Sequence, residues 1–165
     1  MRWVAFTLAA LALATMTGST AASAPVSTIT REGGSCGAAK ARTTVTQFVS
    51  AFNSGQPAKL GGLFARADQG FQWYAVIADV GPRIDAAAKN RATLLGYFAD
   101  RHRHSERLTL QQFTYVGYSL GKAEFIVQLV RSADDLPSPA TYDGKGAINC
   151  WGHGGISVWA MGPKA

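Results

Sequence analysis

The stretch YFADRHRHSERL, Tyr97 to Leu108, crowds Arg101, His102, Arg103, His104 and Arg107 together. Imidazoles bind metals and move protons near neutral pH, and guanidiniums clamp phosphates and carboxylates. Spacing restricts both uses. His102 and His104 are two apart, about 200° around a helix axis. A continuous helix therefore keeps them from gripping one ion, and no acid or cysteine stands in register. Cations in a last helical turn each gain about 0.3–1 kcal/mol from the dipole, which accounts for Arg101, Arg103 and His104 as helix-end charges. His102 follows the stripe Leu94, Leu95, Phe98 and is expected to turn towards a pocket mouth. Paired with Asp79, the carboxylate nearest the first strand, it would supply a proton-transfer site. Asp79 and His102 are thus the candidate catalytic residues. His153, in CWGHGG, reads as a solvated turn residue, and no metal site or cofactor is expected.

Nucleophile elbows, phosphate loops and dinucleotide fingerprints are absent from the sequence. Aromatics are more suggestive. Trp73, Tyr74, Tyr115, Trp151 and Trp159 all fall in expected strands. Alternate side chains of a bent sheet face its hollow, and aromatic walls with few polar groups suit an apolar ligand. These five are the candidate ligand-binding residues, against the plainer reading of core packing. No basic stripe interleaves with them as single-strand nucleic-acid binding requires, so no nucleic-acid partner is expected.

The elements that would position these residues follow from periodicity. Val45, Phe48, Val49 and Phe52 recur as one helical stripe from Ala38 onward, ended at Asn53-Ser54-Gly55. Pro57 opens a short second helix with Leu60, Leu63 and Phe64 on its buried side. GFQWYAVIA, residues 70–78, reads as a strand, and DVGPRIDAAAKN as a Gly/Pro-punctuated loop. Asn90 caps a third helix from Arg91 to about His102. Two long strands, 107–118 and 123–132, turn through Leu120-Gly121-Lys122. A change of parity after Leu110 calls for a bulge at Gln111-Gln112. Asp134 to Tyr142 reads as a loop. GKGAINCW and GGISVWAMG make a last strand pair. Helices first and a meander last give an α+β fold, with helices on one face of a curved antiparallel sheet.

The first residues, with Arg2, an apolar run from Val4 to Leu13 and Ala22-Ser23-Ala24, have the anatomy of a secretory signal peptide cleaved after Ala24. The run is shorter than the roughly 20 residues that span a bilayer. No later stretch is long enough, so no transmembrane segment is expected in the mature chain. Domains are therefore expected as a leader over 1–24, a flexible segment over 25–37 and a single domain over 38–165. The chain carries a formal charge of +6, which suits acidic walls, phospholipid surfaces or anionic ligands, or serves solubility alone. The two cysteines, Cys36 and Cys150, are expected to form a disulfide in an oxidising compartment. In the chain-entropy model, closing a loop of about 100 residues contributes about 4–5 kcal/mol.

The pieces VTQFVSAFNSGQPAKLGGLFA, FQWY, RATLLGYFADRHRHSERLTL and GGISVWAM, in this order, resemble the nuclear transport factor 2-like superfamily and its SnoaL-like members. The helix ending in Asn-x-Gly, the short second helix and the Leu-Phe before the first strand carry most of the likeness, over residues 40 to 162. The resemblance implies a cone: a bent sheet wrapped around the N-terminal helices, with a pocket at the wide end. Relatives include ketosteroid isomerase, scytalone dehydratase, polyketide cyclases, limonene epoxide hydrolase and non-enzymatic association modules, so fold does not choose function. The isomerase pattern keeps its base on the first strand, where Phe71 to Val76 holds no acid. The first helix lacks the family's pocket tyrosine, and Phe48 and Phe52 hold nearby positions. The leading expectation is thus a secreted, non-catalytic domain binding a small, largely apolar ligand. Alternatives are an isomerase-, dehydratase- or cyclase-type enzyme using Asp79 and His102, and a homodimeric interaction module.

Overall fold

The computed structural model describes residues 36–66, 72–78, 82–88, 90–152 and 154–164. The leader over 1–24 and most of the segment over 25–37 lie outside the described residues. So do Asp79 and His153.

Helix α1 (Ala38–Asn53) buries Ala41, Thr44, Val45, Phe48, Ala51 and Phe52, the expected stripe extended by one turn at its N-terminal end, with Val49 partly buried. The chain turns at Gly55 (φ +63°) into α2 (Pro57–Leu63), whose Pro57 sits in the first turn. Strands β1 (Gln72–Ala78) and β2 (Pro82–Ala88) follow. Helix α3 (Arg91–Arg103) comes next, and the Asn90 side chain accepts from the Thr93 N–H at 2.8 Å. This closes one of the amides a helix start leaves unpaired. The chain ends in β3 (Arg107–Ser119), β4 (Lys122–Ser132), β5 (Ala140–Asn149) and β6 (Gly155–Pro163).

The strands form one sheet in the order β2-β1-β6-β5-β4-β3. The α+β architecture with a curved sheet against N-terminal helices is as expected, with two differences. The β1–β6 pair is parallel, so the sheet is mixed. Pro82 to Ala88, expected as loop, is strand β2, paired antiparallel with β1. Proline and alanines are poor strand formers, but β2 is an edge strand with its proline at the first position, where a missing N–H is tolerated. Pairing with β1 then overrides propensity. The bulge expected at Gln111-Gln112 appears as a register shift between Leu110 and Gln112.

Asn53 explains the Asn-x-Gly at the end of α1. Its side-chain amide donates to the Leu108 carbonyl and accepts from the Leu108 N–H, each at 2.8 Å, tying α1 to β3 as a neighbouring strand would. At the other end of α1, Cys36 and Cys150 form the expected disulfide, 114 residues apart in sequence. Cys36, placed by the sequence in a flexible segment, is buried.

Candidate functional site

The concave side of the sheet is filled by aromatic rings. Phe48 on α1 stands at their centre, with ring centroids 4.7 Å from Trp159, 5.5 Å from Trp73 and 5.6 Å from Phe98. Trp73 and Trp159 stack at 5.4 Å. Such pairs add about 0.5–1.5 kcal/mol each beyond the area they bury. Gly146, paired with Phe125 and Trp159 on the neighbouring strands, leaves room for the Phe125 ring, which a Cβ there would strike. The Trp159 indole N–H donates to Met161 Sδ at 3.3 Å.

The five aromatics proposed as ligand contacts therefore part company. Trp73 and Trp159 are core residues with 1% and 0% exposure. Tyr115 is half-buried against the core beside Phe125. Trp151 lies beyond β5 in a bend, not a strand, and is exposed. Tyr74 takes its place in β1, paired with Ala160 of β6.

Tyr97 to Leu108 divides into two faces. On one, Arg101 turns inward, with 4% exposure, contrary to its reading as a helix-end surface charge. Its Nε donates to Glu106, and its terminal nitrogens make a two-pronged contact with Asp135 at 2.6 and 2.7 Å. Arg131, fully buried on β4, donates to both Glu106 oxygens at 2.8 and 3.0 Å and lies 4.8 Å over the Tyr142 ring. The hydrogen bonds from Arg101 hold the Asp135 carboxyl below its ordinary value of 3.8, against a smaller upward push from burial. Burial works against the charge of Arg131, but hydrogen bonding to Glu106 and neighbouring groups keeps its pKa raised. Glu106 is bonded by two guanidiniums, and no cavity described below reaches it. The cluster is a structural joint between α3, the α3–β3 connection, β4 and the β4–β5 loop. Sequence reading missed Glu106, Asp135 and Arg131. Arg131 had left a signal, since it continues the inward parity of Ala123, Phe125, Val127 and Leu129 on β4.

On the other face, His102 and Arg103 line a cleft of about 250 Å³ between the three helices, with Phe52, Pro57, Leu60, Leu95 and Phe98. The imidazole lies directly on Gly55, where any Cβ would collide with the ring. Gly55 is thus required twice, by its left-handed backbone and by His102. No carboxylate lines the cleft. Asp100 is engaged with Arg103 at 2.6 Å. A larger trough of about 610 Å³ runs outside α1 and α2, lined by Thr46, Gln47, Ser50, Ser54, Gln56 and Lys59 together with Ala51 and Leu63. Among the described residues, no group of three His, Cys, Asp or Glu side chains is arranged to hold a metal. No helix among them is long and apolar enough to cross a membrane.

The topology and the helix placement decide the architecture. The fold is that of the nuclear transport factor 2-like superfamily. A Caulobacter vibrioides protein with a cystatin-like fold and no characterised role superposes with a TM-score of 0.62 at 12% identity, covering 76% of this chain and 87% of that one. A candidate dehydratase of the NTF2-like family from Streptomyces avermitilis gives 0.61 at 12% identity, covering 76% and 94%. The orange carotenoid protein of Anabaena, bound to canthaxanthin, gives 0.56 at 13% identity over 72% of this chain and 35% of that one. No protein-family model and no curated protein matches the sequence. At these identities the nuclear transport factor 2-like likeness establishes the fold and leaves the activity to the residues.

Proposed function

We propose that this chain is a secreted, non-catalytic binding domain that takes a small, largely apolar ligand in the cleft between α1, α2 and α3. The observation that carries this reading is the cleft lining: aromatic and aliphatic side chains, one imidazole, one guanidinium and no carboxylate. An apolar body with a single polar or anionic end fits such a lining. The sheet's hollow, filled by Phe48, Trp73, Phe98 and Trp159, leaves the helix cleft to take that part. The carotenoid held by the Anabaena protein of the same fold is in keeping with an apolar ligand. Export is supported by the leader's composition and by the disulfide.

The test is titration with the fluorescent apolar anion 1-anilinonaphthalene-8-sulfonate. Ala99 is exposed at the cleft rim, so Ala99→Trp fills the cleft without touching the core. Saturable binding by the native chain and its loss in Ala99→Trp are expected. Equal binding by both would refute the cleft as the site.

A second reading, self-association, has its own observation. The outer sheet face exposes Val116 and Ile126 and holds a groove of about 470 Å³ that reaches Val158. Light scattering decides it, because a monomer at high concentration removes the homodimer.

A further inference from the structure

The turn between β3 and β4 is a two-residue hairpin, Ser119 pairing with Lys122 across Leu120 and Gly121. Both central residues have positive φ, +49° for Leu120 and +75° for Gly121. Such primed turns favour asparagine or aspartate followed by glycine. A bulky side chain in the left-handed region costs about 1–2 kcal/mol. Leu120 bears that cost while 95% exposed, so no packing offsets it. Neither the turn nor the core explains a leucine here.

Its surroundings are of the same kind. The Cys150 N–H donates to the Gly121 carbonyl at 2.9 Å, bringing the bend after β5 against the hairpin. Trp151 on that bend is 65% exposed and lays its indole across Gly121, where a Cβ would strike Nε1. Tyr118 and Val116 lead up to the turn, 43% and 55% exposed. The Cys36–Cys150 disulfide brings the first turn of α1, with exposed Lys40, to the same end. Lys122 closes the hairpin, and Glu124 faces outward two residues later. Of the other described acids, Asp85 lies on β2 and Asp143 on β5, while Asp100, Glu106, Asp134 and Asp135 lie around the end of α3 and beyond the opposite end of β4, together with Arg101, Arg103, Arg107 and Arg131.

We infer that this tip docks on an anionic lipid bilayer, with Leu120 and Trp151 entering the interfacial region while Lys40 and Lys122 face the headgroups. Tryptophan and tyrosine favour that depth. Basic side chains near an anionic surface add attraction that salt screens. Beside the hairpin two lysines, Lys40 and Lys122, stand against one acid, Glu124, which leaves the tip net positive. A polar protein partner would not reward a lone strained leucine projecting from a hairpin.

The test places an environment-sensitive nitrobenzoxadiazole label on Ser119→Cys in the full chain, with the disulfide intact. The label reads the tip and not the apolar N-terminal run. A blue shift is expected with phosphatidylglycerol vesicles, weaker with phosphatidylcholine and reduced by salt. Adding Leu120→Asn, which suits the turn better, should weaken the midpoint about tenfold, as loss of a buried leucine implies. Four results would each overturn the inference: no shift with either vesicle, an unchanged midpoint in Leu120→Asn, the same shift with soluble dextran sulfate, or a shift that grows with protein concentration in the absence of lipid.

Discussion

The two ends of the β3–β4 pair break the same rule in opposite directions. At one end, Arg101, Glu106 and Arg131 are charged and buried. At the other, Leu120, Tyr118 and Trp151 are apolar and exposed. The buried charges are answered from within. Each guanidinium meets a carboxylate at hydrogen-bond distance, and Arg131 also lies over Tyr142. An ion group satisfied in this way belongs to the architecture. Nothing inside the domain answers Leu120, whose backbone is moreover strained. The difference teaches where to look for function: at the rule broken without internal compensation.

The comparison breaks most visibly at Glu106. Glu106→Ala leaves two buried guanidiniums facing each other, and removing one partner of a buried ion group costs about 3–5 kcal/mol. Urea denaturation should show that loss. A loss below about 1 kcal/mol would mean that the joint is not structural.

Acid sharpens the same end. The Asp135 carboxyl is held below 3.8 in the folded chain. Its contribution is therefore fully present above that value and disappears as pH falls through the lower folded pKa. The facing groups are Arg101, which supplies the hydrogen bonds, and His104 at 3.9 Å. Denaturation curves should weaken below about pH 4 in the native chain. Asp135→Asn should flatten that slope while lowering stability at pH 7. Parallel curves would remove Asp135 from the joint.

The smallest effect belongs to the tip and has the opposite sign. Leu120→Asn should stabilise the fold by about 1 kcal/mol, because asparagine tolerates the left-handed backbone better than leucine. Thermal melting without lipid checks it, and a destabilised variant would mean that Leu120 packs in solution.

Local pattern made much of this legible. The stripe Val45, Phe48, Phe52 gave α1 and its buried face, Asn90 gave the start of α3, and broken parity after Leu110 gave the bulge. Strand β2 was hidden because its proline and alanines carry no strand preference, and only the edge of β1 orders them. The ion joint was hidden because its members, Arg101, Glu106, Arg131 and Asp135, are scattered in sequence and meet only through the fold. Alternation marked Trp73 and Trp159 as inward-facing. It did not reveal that Phe48, Phe64 and Phe98 would fill the same space. His102 followed an apolar stripe yet lies exposed on Gly55, because the last turn of α3 passes the edge of the core.

The central claim, a ligand held between helices and not inside the sheet, is tested most directly by native mass spectrometry of the protein as isolated. The account expects a bound apolar molecule on the native chain and its absence from Ala99→Trp. The same molecule retained by Ala99→Trp, and released only when Phe48 or Trp159 is replaced, would place the site in the sheet's interior and contradict it.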